Sequence, residues 1–228
     1  MTVFFGGAGV STESGIPDFR SAGGLYNDGG AHSYAPEEML SRDFFMEHTP
    51  EFYEFYRTKM IHQNAKPNAA HLALARMEAN GRLDAVITQN IDGLHQMAGS
   101  VNVIELHGSV YRNFCMACGK SYGLDFVLRP SGVPCCECGG TVKPDVVLYQ
   151  EQLDSEVIEK AVSAISAADL LIVGGTSLSV YPAANMIRYF RGGRLILINR
   201  TETQMDHLAT EIIRANIGEA LSELADKL

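Results

Sequence analysis

The sequence predicts an α/β fold, a Rossmann-like parallel sheet with helices on both faces and a small inserted cysteine-rich module. Three observations lead there. Short apolar runs alternate with longer helical patterns, a glycine-rich turn follows the first run, and all the cysteines fall in one stretch that breaks the alternation.

The apolar runs are residues 3–5, 85–88, 103–105, 170–173 and 195–198. They are short and mostly apolar, the pattern of strands buried on both faces. Between them, helical patterns occupy 50–63, 68–80, 155–167 and 182–190. In the second, Leu72, Leu74, Ala75 and Met77 supply most of the apolar face, Pro67 marks the start and Gly81 follows the end. Strands alternating with helices require crossover connections, hence a parallel sheet. The expected division gives residues 1–30, 80–111 and 144–228 to the Rossmann-like domain. Residues 31–79 are the helical part of a small lobe, and 112–143 the cysteine module. The stretch 21–33, with Gly23, Gly24, Gly29 and Gly30 and few apolar anchors, is expected to order around a ligand.

With 46% hydrophobic residues over 228 positions, the chain can bury a large core. No apolar run approaches the ~20 residues that span a bilayer, and the start, Met1-Thr2-Val3-Phe4-Phe5, lacks the basic region of a secretory signal. A cytoplasmic protein without membrane partners is expected. The net charge of −9 disfavours nucleic acid and makes a basic, lysine-bearing peptide the easier partner.

Cys115-Met116-Ala117-Cys118 and Cys135-Cys136-Glu137-Cys138 form two C-x-x-C knuckles separated by 16 residues. Each knuckle can direct two thiolates at one tetrahedral zinc, and Gly119, Gly139 and Gly140 allow the tight turns that follow. The expected ligands are Cys115, Cys118, Cys135 and Cys138. Cys136 is left as a spare thiol, because Cys136-Glu137-Cys138 is a spacing less suited to a knuckle. Four protein ligands close the site, so the metal of this zinc-binding module is structural. A redox disulfide pair is the competing explanation, which two knuckles at this separation disfavour.

After the first strand, the small residues of Gly6-Gly7-Ala8-Gly9-Val10-Ser11-Thr12 let backbone N–H groups approach a diphosphate. Glycine for packing alone is the equal alternative, and Thr12 occupies the third glycine position of the dehydrogenase fingerprint. The second strand delivers Gln89, Asn90 and Asp92 to its carboxyl end, where α/β sheets bind ligands; helix capping is the plainer role for Asn90 or Asp92. The third delivers His107-Gly108, a plausible general base or a buried hydrogen-bonded histidine. His32, His48, His62, His71, His95 and His207 keep the plainer role. Gly174-Gly175-Thr176-Ser177 and Asn199-Arg200-Thr201 complete five polar clusters at strand ends.

In this order the segments resemble the sirtuins, the NAD-dependent protein deacylases, in a bacterial-type minimal form. The motifs are 7–20 through Pro17-Asp18-Phe19-Arg20, Thr88-Gln89-Asn90-Ile91-Asp92-Gly93-Leu94-His95, His107-Gly108, the two knuckles, Gly175-Thr176-Ser177-Leu178 and Ile198-Asn199. The resemblance implies a cleft between a large Rossmann-like domain and a small zinc-binding one. It implies that Gly7, Ala8, Gly9, Thr12, Asp18, Phe19, Arg20, Gln89, Gly175, Thr176, Ser177, Asn199 and Arg200 contact NAD. Asn90, Ile91 and Asp92 would line the nicotinamide pocket, with Asn90 and His107 catalytic and His107 the base. The implied reaction attacks the nicotinamide ribose with the acyl oxygen and yields free lysine, nicotinamide and O-acyl-ADP-ribose. Phe19 would shield the reacting carbon from water.

Three departures from the family pattern stand out. The usual F-G-E is Tyr149-Gln150-Glu151 here, in a segment expected to pair with the substrate backbone through Val147, Leu148 and Tyr149. Desuccinylating members have a tyrosine and an arginine three residues apart, whereas here Tyr53 is followed by Tyr56, with Arg57 one position late. One residue turns a helical side chain by about 100°, so acetyl or another uncharged acyl group is the expected substrate. Gly6 also replaces the family's threonine. In the family a helix ordinarily precedes the first strand, so a shortened form is the expectation that the resemblance implies.

Overall fold

The computed structural model describes residues 1–18, 34–129 and 132–228. Strand β1 (Thr2–Gly6) leads to the helices α1 (Pro36–Met39), α2 (Arg42–Glu47) and α3 (Thr49–Phe55), a π-helical turn (Tyr56–Met60) and α4 (Ala69–Ala79). Next come β2 (Ala85–Thr88), α5 (Leu94–Ala98), β3 (Val103–Glu105), β4 (Gly108–Cys115), β5 (Ser121–Tyr122), α6 (Leu124–Val127) and β6 (Val142–Val146). The last part holds α7 (Ser155–Ala167), β7 (Leu170–Gly174), a 3-10 helix (Ala183–Tyr189), β8 (Arg194–Ile198), β9 (Glu211–Ile213) and α8 (Ile217–Lys227).

The parallel sheet runs β3-β2-β1-β7-β8-β9. Successive side chains of a strand point to opposite faces, and here both faces are apolar. Val3, Phe5, Ile87, Leu171 and Val173 pack with Ile165 of α7 and Met186 and Ile187 of the 3-10 helix. Phe4, Val86, Ile172 and Ile196 pack with Leu74 and Met77 of α4 and Leu221 and Leu224 of α8. Phe4 and Phe5 are both fully buried, each worth about 1.5–3 kcal/mol against exposure. That two-sided burial is why the runs showed no polar alternation.

Four expectations are corrected. The apolar face of α4 is Ala70, Ala73, Leu74 and Met77, whereas Leu72 is 55% exposed. Two residues on a helix differ by about 200°, so Leu72 and Leu74 cannot share a face. In addition, α4 packs on the sheet beside α8. Residues 69–79 therefore belong with the Rossmann-like core and not with the helical lobe to which 31–79 was assigned. The helix expected over 50–63 ends at Phe55 and passes into the π turn, and the one over 182–190 is 3-10.

The inserted stretch forms an antiparallel sheet, β5-β4-β6. Helices α1 to α3 and the π turn pack on it through a separate core in which Phe45, Phe52, Tyr53 and Tyr56 meet Val110, Val146 and Leu148. This second body stands over the carboxyl edge of the parallel sheet. No described helix is long and apolar enough to cross a membrane.

Candidate active site

A cavity of about 520 Å³ lies where the two bodies meet. Its floor is the topological switch point of the sheet: β1 continues to β2 on one side and is flanked by β7 on the other, so the loops after β1 and β7 diverge and leave a crevice. Gly9 N donates to the Gly175 carbonyl at 2.8 Å, crossing the two loops. A Cβ on Gly9 would lie 2.8 Å from that carbonyl oxygen. Gly175 has φ +58, and its own Cβ would lie 2.5 Å from Val10 N. Only glycine fits this crossing, which exposes backbone and the hydroxyls of Thr12, Thr176 and Ser177 to the cavity. Gln89 Nε2 donates to Thr176 Oγ1 at 3.2 Å, tying β2 to the same floor.

Behind the floor, Ser11 Oγ is the hub of a relay. Asn90 Nδ2 donates to it at 3.0 Å, and it donates to Asp92 Oδ2 at 2.6 Å. His71 lies on the far side. Its Nδ1 accepts the Asn68 N–H at 3.3 Å, so in the neutral ring Nε2 bears the proton and faces Ser11 Oγ at 3.5 Å. The hydroxyl thus has one proton given and both lone pairs engaged. Asp92 Oδ1 accepts the Leu94 N–H at the start of α5. This network fixes Asn90 and Asp92, two of the cavity's polar walls. Burial lowers the pKa of His71, against the pull of Asp92 and Glu13. His95, 4.8 Å from His71 between ring centroids, is fully buried with neither ring nitrogen hydrogen-bonded among the described residues, and burial pushes its pKa down to about 3.

His107 enters from the β3–β4 junction. Its Nδ1 lies 2.9 Å from the Gln89 carbonyl oxygen. A carbonyl only accepts, so Nδ1 bears the proton and Nε2 is left with a free lone pair. Burial lowers the pKa of the ring, although the Gln89 bond raises it. The imidazole is therefore a neutral base with a fixed tautomer at neutral pH. Its backbone is held as well: the His107 carbonyl accepts the Val147 N–H at 3.0 Å, and Gly108, with φ +75, makes a turn in which any side chain would strike the Asp145 carbonyl.

Val147, Leu148 and Tyr149 line the opposite wall. Leu148 N donates to the Glu151 carboxylate, while the Tyr149 backbone bonds to Leu40 and Arg42. Gln150, at φ +73, is clasped to Asp43, its Oε1 accepting from Asp43 N and its Nε2 donating to Asp43 Oδ2, both at 3.0 Å. Arg57 turns away from the cavity: its Nε donates to the Val127 carbonyl and its Nη2 to that of Gly132.

The expected site residues converge. Gly7, Ala8, Gly9, Thr12, Asp18, Gln89, Asn90, Ile91, Asp92 and His107 line the cavity, as do Gly175, Thr176, Ser177, Asn199 and Arg200. Phe19 and Arg20 lie outside the described residues. Ser11 and His71 were missed as functional positions: a serine inside a glycine turn reads as one more small residue, and only its partners distant in sequence reveal it. Glu13 was missed too; it lines the cavity while its Oε1 caps Gly218 N of α8.

The cysteine cluster requires a correction. Cys115, Cys118, Cys136 and Cys138 bring their sulfurs within 4.8 Å of one another, and Cys135 is not among them. Adjacent residues in extended backbone point to opposite sides. Cys135 bridges to Thr141 and is exposed, with its thiol donating to the Val133 carbonyl, whereas Cys136 is buried and accepts the Tyr122 hydroxyl at 3.0 Å. The sulfur pairs Cys115–Cys138 and Cys118–Cys136 are 3.5 and 3.6 Å apart. Tetrahedral zinc with Zn–S of about 2.3 Å separates its ligands by ~3.8 Å, so these four residues fit the metal. None of them lines the cavity.

Comparison with known proteins agrees with this geometry. The Sir2 family model matches residues 7–182. An NAD-dependent protein deacetylase of Clostridium acetobutylicum is 61% identical over 221 residues, 96% of this chain and 90% of that protein. One from Clostridium perfringens is 58% identical, over 98% of this chain and 93% of its own length. Among solved structures, a complex of Sir2 with p53 peptide and NAD+ superposes with TM-score 0.86 at 40% identity, covering 100% of this chain and 92% of that one. A Sir2 homologue bound to NAD gives 0.89 at 39%, covering 99% and 88%. With its motifs in order, its crevice at the switch point and its family match over most of its length, the chain belongs to the Sir2 family.

Proposed function

We propose that this protein is an NAD-dependent protein-lysine deacetylase that releases free lysine, nicotinamide and O-acetyl-ADP-ribose. The observation that carries the reading is His107: a neutral imidazole, its tautomer set by Gln89, with Nε2 free at a crevice built for a dinucleotide. Bound NAD supplies an electrophilic ribose carbon with nicotinamide as the leaving group.

The chain's own residues do the rest. Gly7, Ala8, Gly9 and Gly175 let the backbone approach the diphosphate, with Thr12, Thr176 and Ser177 as hydroxyl donors. Asp18, Gln89, Asn199 and Arg200 complete the cofactor contacts. Asn90, Ile91 and Asp92, held through Ser11, form the nicotinamide pocket, and Asn90 orients the reacting ribose. His107 Nε2 removes a proton from a ribose hydroxyl. Val147, Leu148 and Tyr149 support the peptide that presents the acyl-lysine, which the chain's acidic balance suits. With Arg57 committed to Val127 and Gly132, uncharged acyl groups are preferred over succinyl. Zinc on Cys115, Cys118, Cys136 and Cys138 holds the module together without touching substrate. Five unpaired thiols suit the reducing cytoplasm, our assignment for its location.

The test is incubation with acetyl-lysine peptide and NAD, following nicotinamide and deacetylated peptide together. Equal amounts of both, dependent on NAD, are expected. Nicotinamide without deacetylated peptide would assign ADP-ribosyl transfer or NAD hydrolysis instead.

A further inference from the structure

A lysine is buried beside the wall formed by residues 147–149. Lys143, in β6, has an ammonium whose Nζ donates to the Val146 carbonyl at 3.0 Å, the Pro144 carbonyl at 3.3 Å and Glu151 Oε2 at 3.0 Å. Three acceptors match its three protons. Glu151 Oε2 also accepts the Leu148 N–H at 2.9 Å, and Glu151 N donates back to the Leu148 carbonyl at 3.0 Å. Residues 148–151 are thereby closed into a turn from both ends. The Asp43–Gln150 clasp on the same turn is exposed, where water competes for both partners. The Lys143 and Glu151 side chains are only 10% and 20% exposed, so their attraction is screened far less. Burying two charges is costly, and an apolar pair of similar size would hold β6 as well; what the ion pair adds is direction. Among the described residues, every hydrogen bond of these two side chains stays within residues 143–151, and none reaches the glycine crossing between Gly9 and Gly175.

We propose that Lys143 and Glu151 are a positioning pair for the acyl-lysine peptide. The ammonium aims the carboxylate at Leu148 N, and the carboxylate fixes the backbone that supports the peptide. The proposal rests on the deacylase reading and adds two residues that govern peptide affinity through Leu148, separately from the residues that hold NAD. A hydrogen bond to a charged group is worth about a decade of affinity or more, so loss of either partner weakens the peptide and leaves the dinucleotide unaffected.

The experiment measures steady-state turnover of acetyl-lysine peptide with NAD, and calorimetric affinity for each ligand separately. The variants are Lys143→Met, Lys143→Arg, Glu151→Met and the double variant with methionine at both positions. Each methionine variant should raise the peptide KM and weaken peptide binding by about tenfold, with kcat and the KM for NAD unchanged. Lys143→Arg keeps a cationic donor and should retain wild-type peptide affinity. The double variant should be no worse than either single, because the two residues act as one unit. It leaves neither charge buried without its partner, so it carries the test where a single variant fails to fold. Unchanged peptide affinity, a fall in NAD affinity matching that for peptide, losses that add in the double variant, or Lys143→Arg as weak as Lys143→Met would each overturn the proposal. Failure of the wild type to release free lysine from the acetyl peptide would instead overturn the deacylase reading, and the proposal with it.

Discussion

Replacing Ser11 by alanine removes the hub behind the nicotinamide pocket while leaving the cavity's shape nearly intact. The two short bonds, from Asn90 Nδ2 at 3.0 Å and to Asp92 Oδ2 at 2.6 Å, are lost together with the 3.5 Å contact to His71 Nε2, which is too long to add to the magnitude. A neutral hydrogen bond is worth about 1 kcal/mol and one to a charged group about 1.5–3, so roughly 2.5–4 kcal/mol of positioning is forfeited. Asp92 stays anchored through Oδ1 to Leu94 N, so the carboxylate loosens without leaving. Expressed at the reacting centre, the loss lowers kcat/KM by about 10²- to 10³-fold at ~1.4 kcal/mol per decade. The assay is NAD-dependent release of free lysine from an acetyl peptide, with thermal melting to verify that the variant is folded. A folded Ser11→Ala enzyme within about threefold of wild type would refute the relay as a positioning device.

Other expectations follow from the same geometry. His107→Ala should cost about 10²–10⁴ in turnover, and because burial holds the His107 pKa below 6.5, the acid limb of kcat/KM should have its midpoint below that value; an acid limb above pH 6.5 contradicts it. Cys136→Ser should lose zinc by elemental analysis while Cys135→Ser retains one per chain, and the reverse result would restore the spacing-based ligand set. His95 has a folded pKa of about 3 against about 6.5 unfolded, so the unfolded chain binds the proton first and stability falls as pH drops below 6.5, by up to ~1.4 kcal/mol per unit. His95→Leu, which forfeits no hydrogen bond, should flatten the melting profile between pH 7 and 5, and an unchanged slope would exclude His95 as the cause. Succinyl-lysine peptide should turn over far more slowly than acetyl-lysine, and comparable rates would remove the assigned preference.

The sheet was legible because β1, β2, β7 and β8 are buried on both faces, which leaves an unbroken apolar run as the trace, while β3 is partly buried. The sixth, β9, was not: it has three residues, two of them exposed. Helix α8 carries a signal in Ile217, Leu221 and Leu224 at helical spacing. Strand-end polar residues were legible because an α/β sheet gathers its loops at one edge, so sequence order alone brings Gly7, Gln89, Thr176 and Asn199 together. What sequence could not supply was direction. Spacing favoured Cys135, but an extended backbone turns it outward, and Tyr122, a residue no cysteine count considers, meets Cys136. Leu72 failed similarly, since the helix face is set by its partners Ala70, Leu74 and Met77.

In the proposed reaction the acyl group leaves lysine on the ADP-ribose of a cleaved NAD. Mass spectrometry of the products from acetyl-lysine peptide and NAD tests it most directly. O-acetyl-ADP-ribose should appear in equal amount with nicotinamide and free lysine peptide. Free acetate formed while NAD stays intact would contradict the account.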